Sequence, residues 1–411
     1  MHTRKKALAA TAVAFGLALT GCANSSDSTS SSGDSASSSD KVDLPAIDTI
    51  ETPADAVLPA GDGNGTCDPT TTIGYVGAMT GPNAQLGINI YNGIQLAIDQ
   101  HNEANPNCQV QFTKLDTEGT PDKAPGPVTQ MVSNPNVIGV VGLPFSGESK
   151  ATGQIFDQAG LVHVTPSATN PSLTENGWTT FFRGLGNDAV QGPAAATLIT
   201  NMLDSKTVYV VQDDSDYGIG LGTQTSDALG DALAGSDKIT TGQKDFGATV
   251  SKIMSANPEA VFFSGYYAEA APFVQQLVQK GYTGQIVAPD GVKDNEFVKQ
   301  AGDTANGVYF TCPCIPGELI DSFSEAYKGV SGGSDPGTYS IEGYDAATVL
   351  LSGLDAGNTT RPALLEWVRT YDKDGLSKHY KWDDKGELEA PDVYAYKVQD
   401  GAIVPVGMIK E

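Results

Sequence analysis

Short apolar runs rich in β-branched residues alternate along most of this chain with longer stretches whose apolar positions recur at helical spacing. Strands are predicted at 73–77, 110–115, 137–141, 161–164, 207–211, 260–263, 285–288 and 308–311. Helices are predicted between and after them, at 88–102, 127–133, 149–159, 189–204, 218–234, 250–256, 268–280, 321–327, 340–356 and 362–371. Strand followed by helix, repeated, is the pattern of an α/β protein with parallel sheets covered on both faces. The end departs from it: 393–398 and 402–408 form a hairpin pattern around Gln399-Asp400-Gly401.

One strand–helix–strand unit, Val137 to Thr169, carries polar residues at both strand exits. Parallel strands joined by a crossover leave the sheet at the same edge, so Ser146, Ser167 and Thr169 are expected side by side at its carboxyl edge. Hydroxyls and free N–H groups at a helix start suit a carboxylate or another small anion. The same residues are also preferred helix caps with no ligand at all.

The ends of the chain differ in composition from this body. Arg4, Lys5 and Lys6 precede an apolar run from Ala7 to Leu19 that is too short for a permanent membrane span, and Leu19-Thr20-Gly21-Cys22 follows. That order is a secretory signal, 1–21, and LTGC resembles the lipobox of bacterial lipoproteins, which makes Cys22 the lipidated first residue. From 22 to 65 the chain is rich in Ser, Asp, Gly and Pro, and is expected to be a disordered tether. The remainder is too long for one core and suits two lobes. With 24 basic against 49 acidic residues the formal net charge is −25, and removal of the leader takes three of the basic residues away. Such a surface excludes nucleic acid as a partner and gives no electrostatic attraction to anionic lipid; membrane attachment rests on the lipid at Cys22.

Four further cysteines remain in an exported, oxidising setting. Cys67 and Cys108 each precede a predicted strand of one crossover unit, which favours their pairing. Cys312 and Cys314 are then a bridge across one residue or two thiols, and no further cysteine or nearby histidine completes a metal site. Enzymatic motifs are imperfect. Gly184-Leu-Gly186 mimics a dinucleotide loop, but its acid, Asp204, falls at a helix end. Gly329-Val-Ser331-Gly-Gly333 has no strand leading into it. Asp213, Asp214 and Asp216 lack the later ligands of a calcium loop. Past the leader only His101, His163 and His379 remain as histidines, and no paired carboxylates are placed for acid–base work. No catalytic centre and no cofactor are expected.

Colinear segments point to a family. IGYVGAMTGP at 73–82, VTPSAT at 164–169, Gln191-Gly-Pro193, DYGIG at 216–220, Lys244-Asp-Phe246, Ser264-Gly-Tyr266, PDGV at 289–292 and WDDKG at 382–386 resemble, in order and spacing, the leucine/isoleucine/valine-binding proteins of branched-chain amino acid ABC importers. The resemblance covers 73–411. It implies a type I periplasmic-binding fold of two Rossmann-like lobes, 66–186 with 316–376 and 187–315 with 377–411, joined by crossings near 183–191, 311–317 and 376–384. It further implies that a ligand carboxylate meets Ser146, Ser167 and Thr169, and that its ammonium meets the carbonyl of Ser167 and the side chains of Asp290, Tyr217 and Tyr266. Two positions depart from the family. Leu86 stands where leucine binders carry an aromatic ring, and Asp290 where they carry glutamate. A monomeric, lipid-anchored binding protein that hands a small aliphatic amino acid to an ABC permease is the function implied; a sensor of the same fold, for an amino acid, amide or urea-like solute, is the alternative.

Overall fold

The computed structural model describes residues 52–410; the expected leader and the lipid-bearing Cys22 lie outside them. The first sheet begins with β1 (Thr72–Gly77), whose six residues are all buried. After α1 (Ala84–Ala104) come β2 (Gln111–Asp116), α2 (Pro125–Ser133), β3 (Val137–Gly142), α3 (Ser146–Ala159), β4 (Val162–Thr165) and β5 (Phe181–Arg183). These strands pair in parallel in the order β2-β1-β3-β4-β5. The fully buried β1 and β3 take the centre, and the half-exposed β2 takes an edge, as burial on two faces or one demands.

The second lobe starts with α4 (Asp188–Thr197) and continues through β6 (Val208–Gln212), α5 (Asp216–Leu229), β7 (Leu233–Lys238), α6 (Gly247–Ala256), β8 (Ala260–Ser264), α7 (Tyr267–Gln279), β9 (Gln285–Pro289), α8 (Asn295–Ala301) and β10 (Tyr309–Cys312). The chain returns to the first lobe as α9 (Asp321–Val330), α10 (Ser340–Asp355) and α11 (Arg361–Arg369), then makes a small ribbon of β11 (Asp372–Asp374) and β12 (His379–Lys381). It ends as β13 (Tyr394–Gln399) and β14 (Ala402–Met408), which complete a mixed sheet in the order β14-β13-β10-β9-β8-β6-β7. The hairpin expected at the end joins this sheet antiparallel to β10.

Three expectations are corrected. The helix expected over 218–234 stops at Leu229, because Gly230 takes φ +49 and ends it, and an edge strand, β7, begins four residues later. Alternating exposure in a strand of Leu, Ala, Gly, Ser, Asp and Lys hides it from a search for apolar runs. The helix expected to Asp204 gives way after Thr197 to a wider turn at Leu198–Met202. The expected tether is docked over its last residues, 52–65: the Val57 N–H donates to the Asp374 carbonyl (2.7 Å), a His101 ring nitrogen meets the Pro59 carbonyl (3.0 Å), and Asn105 donates to the Ala60 carbonyl (2.8 Å). The buried polar side chains at the end of α1 need these acceptors, which composition alone does not reveal.

Cys67 is bonded to Cys108 and Cys312 to Cys314. The latter bridge is buried at the end of β10, where the chain turns back toward the first lobe. The segment 376–384, expected as the third crossing, holds β12 and the start of a turn tied to β5, since the Arg183 N–H donates to the Gly386 carbonyl (2.9 Å); the chain enters the second sheet at Tyr394. The lobes are shut on each other. Lys150 of α3 pairs with Asp216 of α5 (2.6 Å), Asn170 donates to the Asp216 carbonyl (2.7 Å), and Asn89 of α1 to Asp294 (3.0 Å).

Candidate ligand site between the lobes

The carboxyl ends of β3 and β4 are stitched together. Thr165 Oγ1 donates to the Leu143 carbonyl (3.1 Å) and Ser167 Oγ to the Pro144 carbonyl (2.9 Å). Ser146 opens α3, and its hydroxyl accepts the N–H of Asn170 (3.2 Å). The N–H of Phe145, one residue earlier, donates to Glu148 (3.3 Å), so the first turn of α3 is partly capped from within. Burial pushes the Glu148 carboxyl up to about 7.

From the second lobe come three residues at corresponding places. Tyr217 lies in the first turn of α5, Tyr266 immediately precedes α7, and Asp290 follows β9. The Tyr266 ring meets Phe145 edge-on across the cleft, with centroids 4.9 Å apart, and lies 5.0 Å from Tyr217. Asp290 is buried, and its two oxygens are already satisfied. Oδ1 accepts from Tyr217 Oη (2.7 Å) and Gln191 Nε2 (2.5 Å), while Oδ2 accepts from the hydroxyl of Tyr339. Burial raises its pKa, and these three hydrogen bonds oppose the rise by favouring the anion.

Six of the seven expected residues, Leu86, Ser146, Ser167, Tyr217, Tyr266 and Asp290, surround one cavity of about 10 Å³. Such a space holds about one water. Thr169 is not among the residues that line it; the side chain is fully buried and its hydroxyl bonds the Asp188 carboxyl. Phe145 and Tyr339 line the cavity and were missed, and Gln191 was noted without a role. A signal for Tyr339 was present: like Tyr217 and Tyr266 it sits at a helix start, directly before α10. Its φ of +68 and its reach to the opposite lobe are not readable from sequence. Close packing of α1 on α10 holds it there, since a Cβ on Gly93 would stand 1.9 Å from the Ser340 carbonyl oxygen.

The competing motifs disperse. Asp213 accepts from Ser215, Asp214 from Thr241, and Asp216 pairs with Lys150, so no calcium cage forms from them. Ser331 donates to Ser334 within a loop. His163 is fully buried against Phe156, and burial holds it down to about 3, which leaves it a neutral core residue. His101, Cys108 and Asp355 lie close together, but the Cys108 sulfur is committed to its disulfide.

Two lobes closed over a small polar cavity, with hydroxyls from one and an acid from the other, define a solute-binding protein. The family described as periplasmic binding protein matches residues 70–402, and the chain belongs to it. An amino acid binding protein of Pseudomonas aeruginosa is 31% identical over 336 residues, covering 80% of this chain and 90% of its own. The leucine-, isoleucine-, valine-, threonine- and alanine-binding protein of the same organism is 31% identical over 340 residues, with the same coverage. Among solved structures, a leucine binding protein from Thermotoga maritima superposes with a TM-score of 0.75 at 29% identity, over 83% of this chain and 99% of that one. A branched-chain amino acid transporter substrate binding protein from Streptococcus pneumoniae, in complex with isoleucine, gives 0.76 at 25%, over 82% and 97%. The resemblance to leucine/isoleucine/valine-binding proteins and the type I fold expected from sequence are borne out. Members of the family are extracytoplasmic, and no helix among the described residues is long and apolar enough to cross a membrane.

Proposed function

We propose that this chain is a lipid-anchored solute-binding protein that captures a small aliphatic amino acid by lobe closure and delivers it to the permease of an ABC importer. The observation that carries the reading is the convergence of Ser146 and Ser167 from one lobe with Tyr217, Tyr266 and Asp290 from the other on one cavity. The hydroxyls and the free N–H groups at the start of α3 suit the carboxylate of an amino acid, and Asp290 with the Ser167 carbonyl suits its ammonium. Leu86 offers an apolar, flexible surface for an aliphatic side chain. Relatives named as binders of leucine, isoleucine, valine, threonine and alanine support this ligand class. Cys22 carries the lipid in this reading, and closure of the lobes is the state the permease recognises.

The test is calorimetry and thermal shift against a panel of amino acids, amides and urea. Binding of at least one aliphatic α-amino acid is expected, and no response to any α-amino acid refutes the ligand class. Asp290→Ala should weaken that binding by about 3–5 kcal/mol, as when one partner of a buried charge pair is removed. Unchanged affinity would show that the ammonium lies elsewhere.

A further inference from the structure

Lys293 lies in the turn between β9 and α8, where its N–H is held by the carbonyls of Pro289 (3.2 Å) and Asp290 (3.1 Å), and only 5% of it is exposed. An ammonium has three N–H donors, and each one left without an acceptor in so buried a place costs free energy. This one meets the Thr338 hydroxyl at 3.4 Å, longer than a good hydrogen bond, and sits 4.0 Å from the centre of the Tyr396 ring, whose face attracts a cation. Thr338 gives its own proton to the Lys293 carbonyl. Among the described residues no carboxylate forms an ion pair with the ammonium, and the acid that supports its charge most is Glu318.

Lys293 and Glu318 both line a cavity of about 190 Å³, together with Asp294, Asp335, Thr338 and Ile403. That is room for a small organic group. It stands back to back with the ligand cavity: the turn after β9 gives Asp290 to one and Lys293 to the other, and the segment before α10 gives Tyr339 to one and Thr338 to the other. Two of its three acids are already committed. Asp294 accepts from the Glu296 N–H (2.8 Å) and from Asn89 (3.0 Å), and Asp335 pairs with Lys328 (2.9 Å). Glu318 makes no bond to another side chain among the described residues, and burial raises its pKa as it lowers that of Lys293. The cavity thus holds a donor and an acceptor that do not reach each other. A free anion there would face Glu318, Asp294 and Asp335, and a free cation would face Lys293. An uncharged group with a carbonyl and an N–H on one carbon answers both, accepting from Lys293 and donating to Glu318.

We propose that this cavity is a second small-molecule site, for a carboxamide or urea group held between Lys293 and Glu318. It goes beyond the amino-acid-binding function given above and does not depend on it.

Calorimetry on the whole chain with propionamide as probe tests it. The wild type should bind propionamide, and Lys293→Met and Glu318→Leu should each weaken that binding about tenfold, the equivalent of one hydrogen bond to a charged group. Propionate and propylammonium, of similar shape but charged, should bind more weakly than propionamide by at least as much. A crystal soaked in propionamide should show the amide between the two side chains. Glu318→Leu carries the test alone if Lys293→Met does not fold. No binding to the wild type, or equal binding by the wild type and the variants, overturns the proposal; so does propionate binding as tightly as propionamide, which would make Lys293 an anion site. Wild-type protein that binds propionamide with this dependence but no amino acid of the panel supports this site and refutes the function above.

Discussion

Tyr339→Phe should tighten ligand binding while destabilising the free protein. Asp290 Oδ1 already accepts two hydrogen bonds, from Tyr217 and Gln191, so an incoming ammonium has to take Oδ2. Oδ2 is held by Tyr339. The cavity beside it, about 10 Å³, has no room for an amino acid until that ring moves. The ligand therefore replaces the tyrosine hydroxyl, and the wild type gives up a hydrogen bond to a charged group worth about 1.5–3 kcal/mol. The φ of +68 at Tyr339 offsets some of that, since a non-glycine residue in the left-handed region is strained by about 1 kcal/mol and is relieved if the loop relaxes. Phenylalanine removes the bond from the free protein and leaves the complex unchanged. The expected gain is roughly 1–2 kcal/mol, or about 5- to 30-fold in Kd. Calorimetry with L-leucine on both proteins reads the gain, and chemical denaturation without ligand reads a matching loss of stability. Equal or weaker leucine binding in Tyr339→Phe refutes the reasoning, because it would mean that the hydroxyl is a ligand contact and not its competitor.

Other consequences are as direct. Burial pushes the Asp188 carboxyl from the usual 3.8 up to about 8 and that of Glu148 up to about 7. An acid raised in the fold contributes its stability in full below its unfolded pKa and loses it as pH rises through the folded one. Tm should therefore fall between pH 4 and pH 8, by up to about 1.4 kcal/mol of stability per pH unit for each group, with Asp188→Asn flattening the descent; a Tm rising with pH in this window contradicts the assignment. Gly93→Ala drives a methyl against the Ser340 carbonyl and should cost about 1–3 kcal/mol in denaturant unfolding, with leucine affinity changed as well because Tyr339 adjoins Ser340. Replacing Cys67 and Cys108 by alanine opens a bridge spanning 41 residues and should lower stability by roughly 3–4 kcal/mol, measured against the same protein under reducing conditions, where the difference should vanish.

Sequence patterning made the strands of the two sheet centres legible, since strands such as β3 and β8 are buried on both faces and are therefore apolar along nearly their whole length. It failed at β7 and at 52–65, where one face or only a few backbone groups touch the body and composition stays polar. At the site, side chains that follow a strand were legible because topology alone delivers them to the carboxyl edge; Ser146, Ser167 and Asp290 are of this kind. Tyr339 was not, because it acts at a distance in sequence, on Asp290. The resemblance set glutamate against the ammonium, and aspartate at 290 is one methylene shorter. The geometry supplies the complement. A carboxylate that stops short leaves Oδ2 within reach of the opposite lobe, and the hydroxyl of Tyr339 fills that reach. Acid length and the hydroxyl are then one feature, so lengthening the acid by Asp290→Glu without removing the hydroxyl should overfill the cavity and weaken leucine in calorimetry, whereas Asp290→Glu combined with Tyr339→Phe should regain the affinity that Asp290→Glu alone loses; equal affinities of the single and double variants would refute the link.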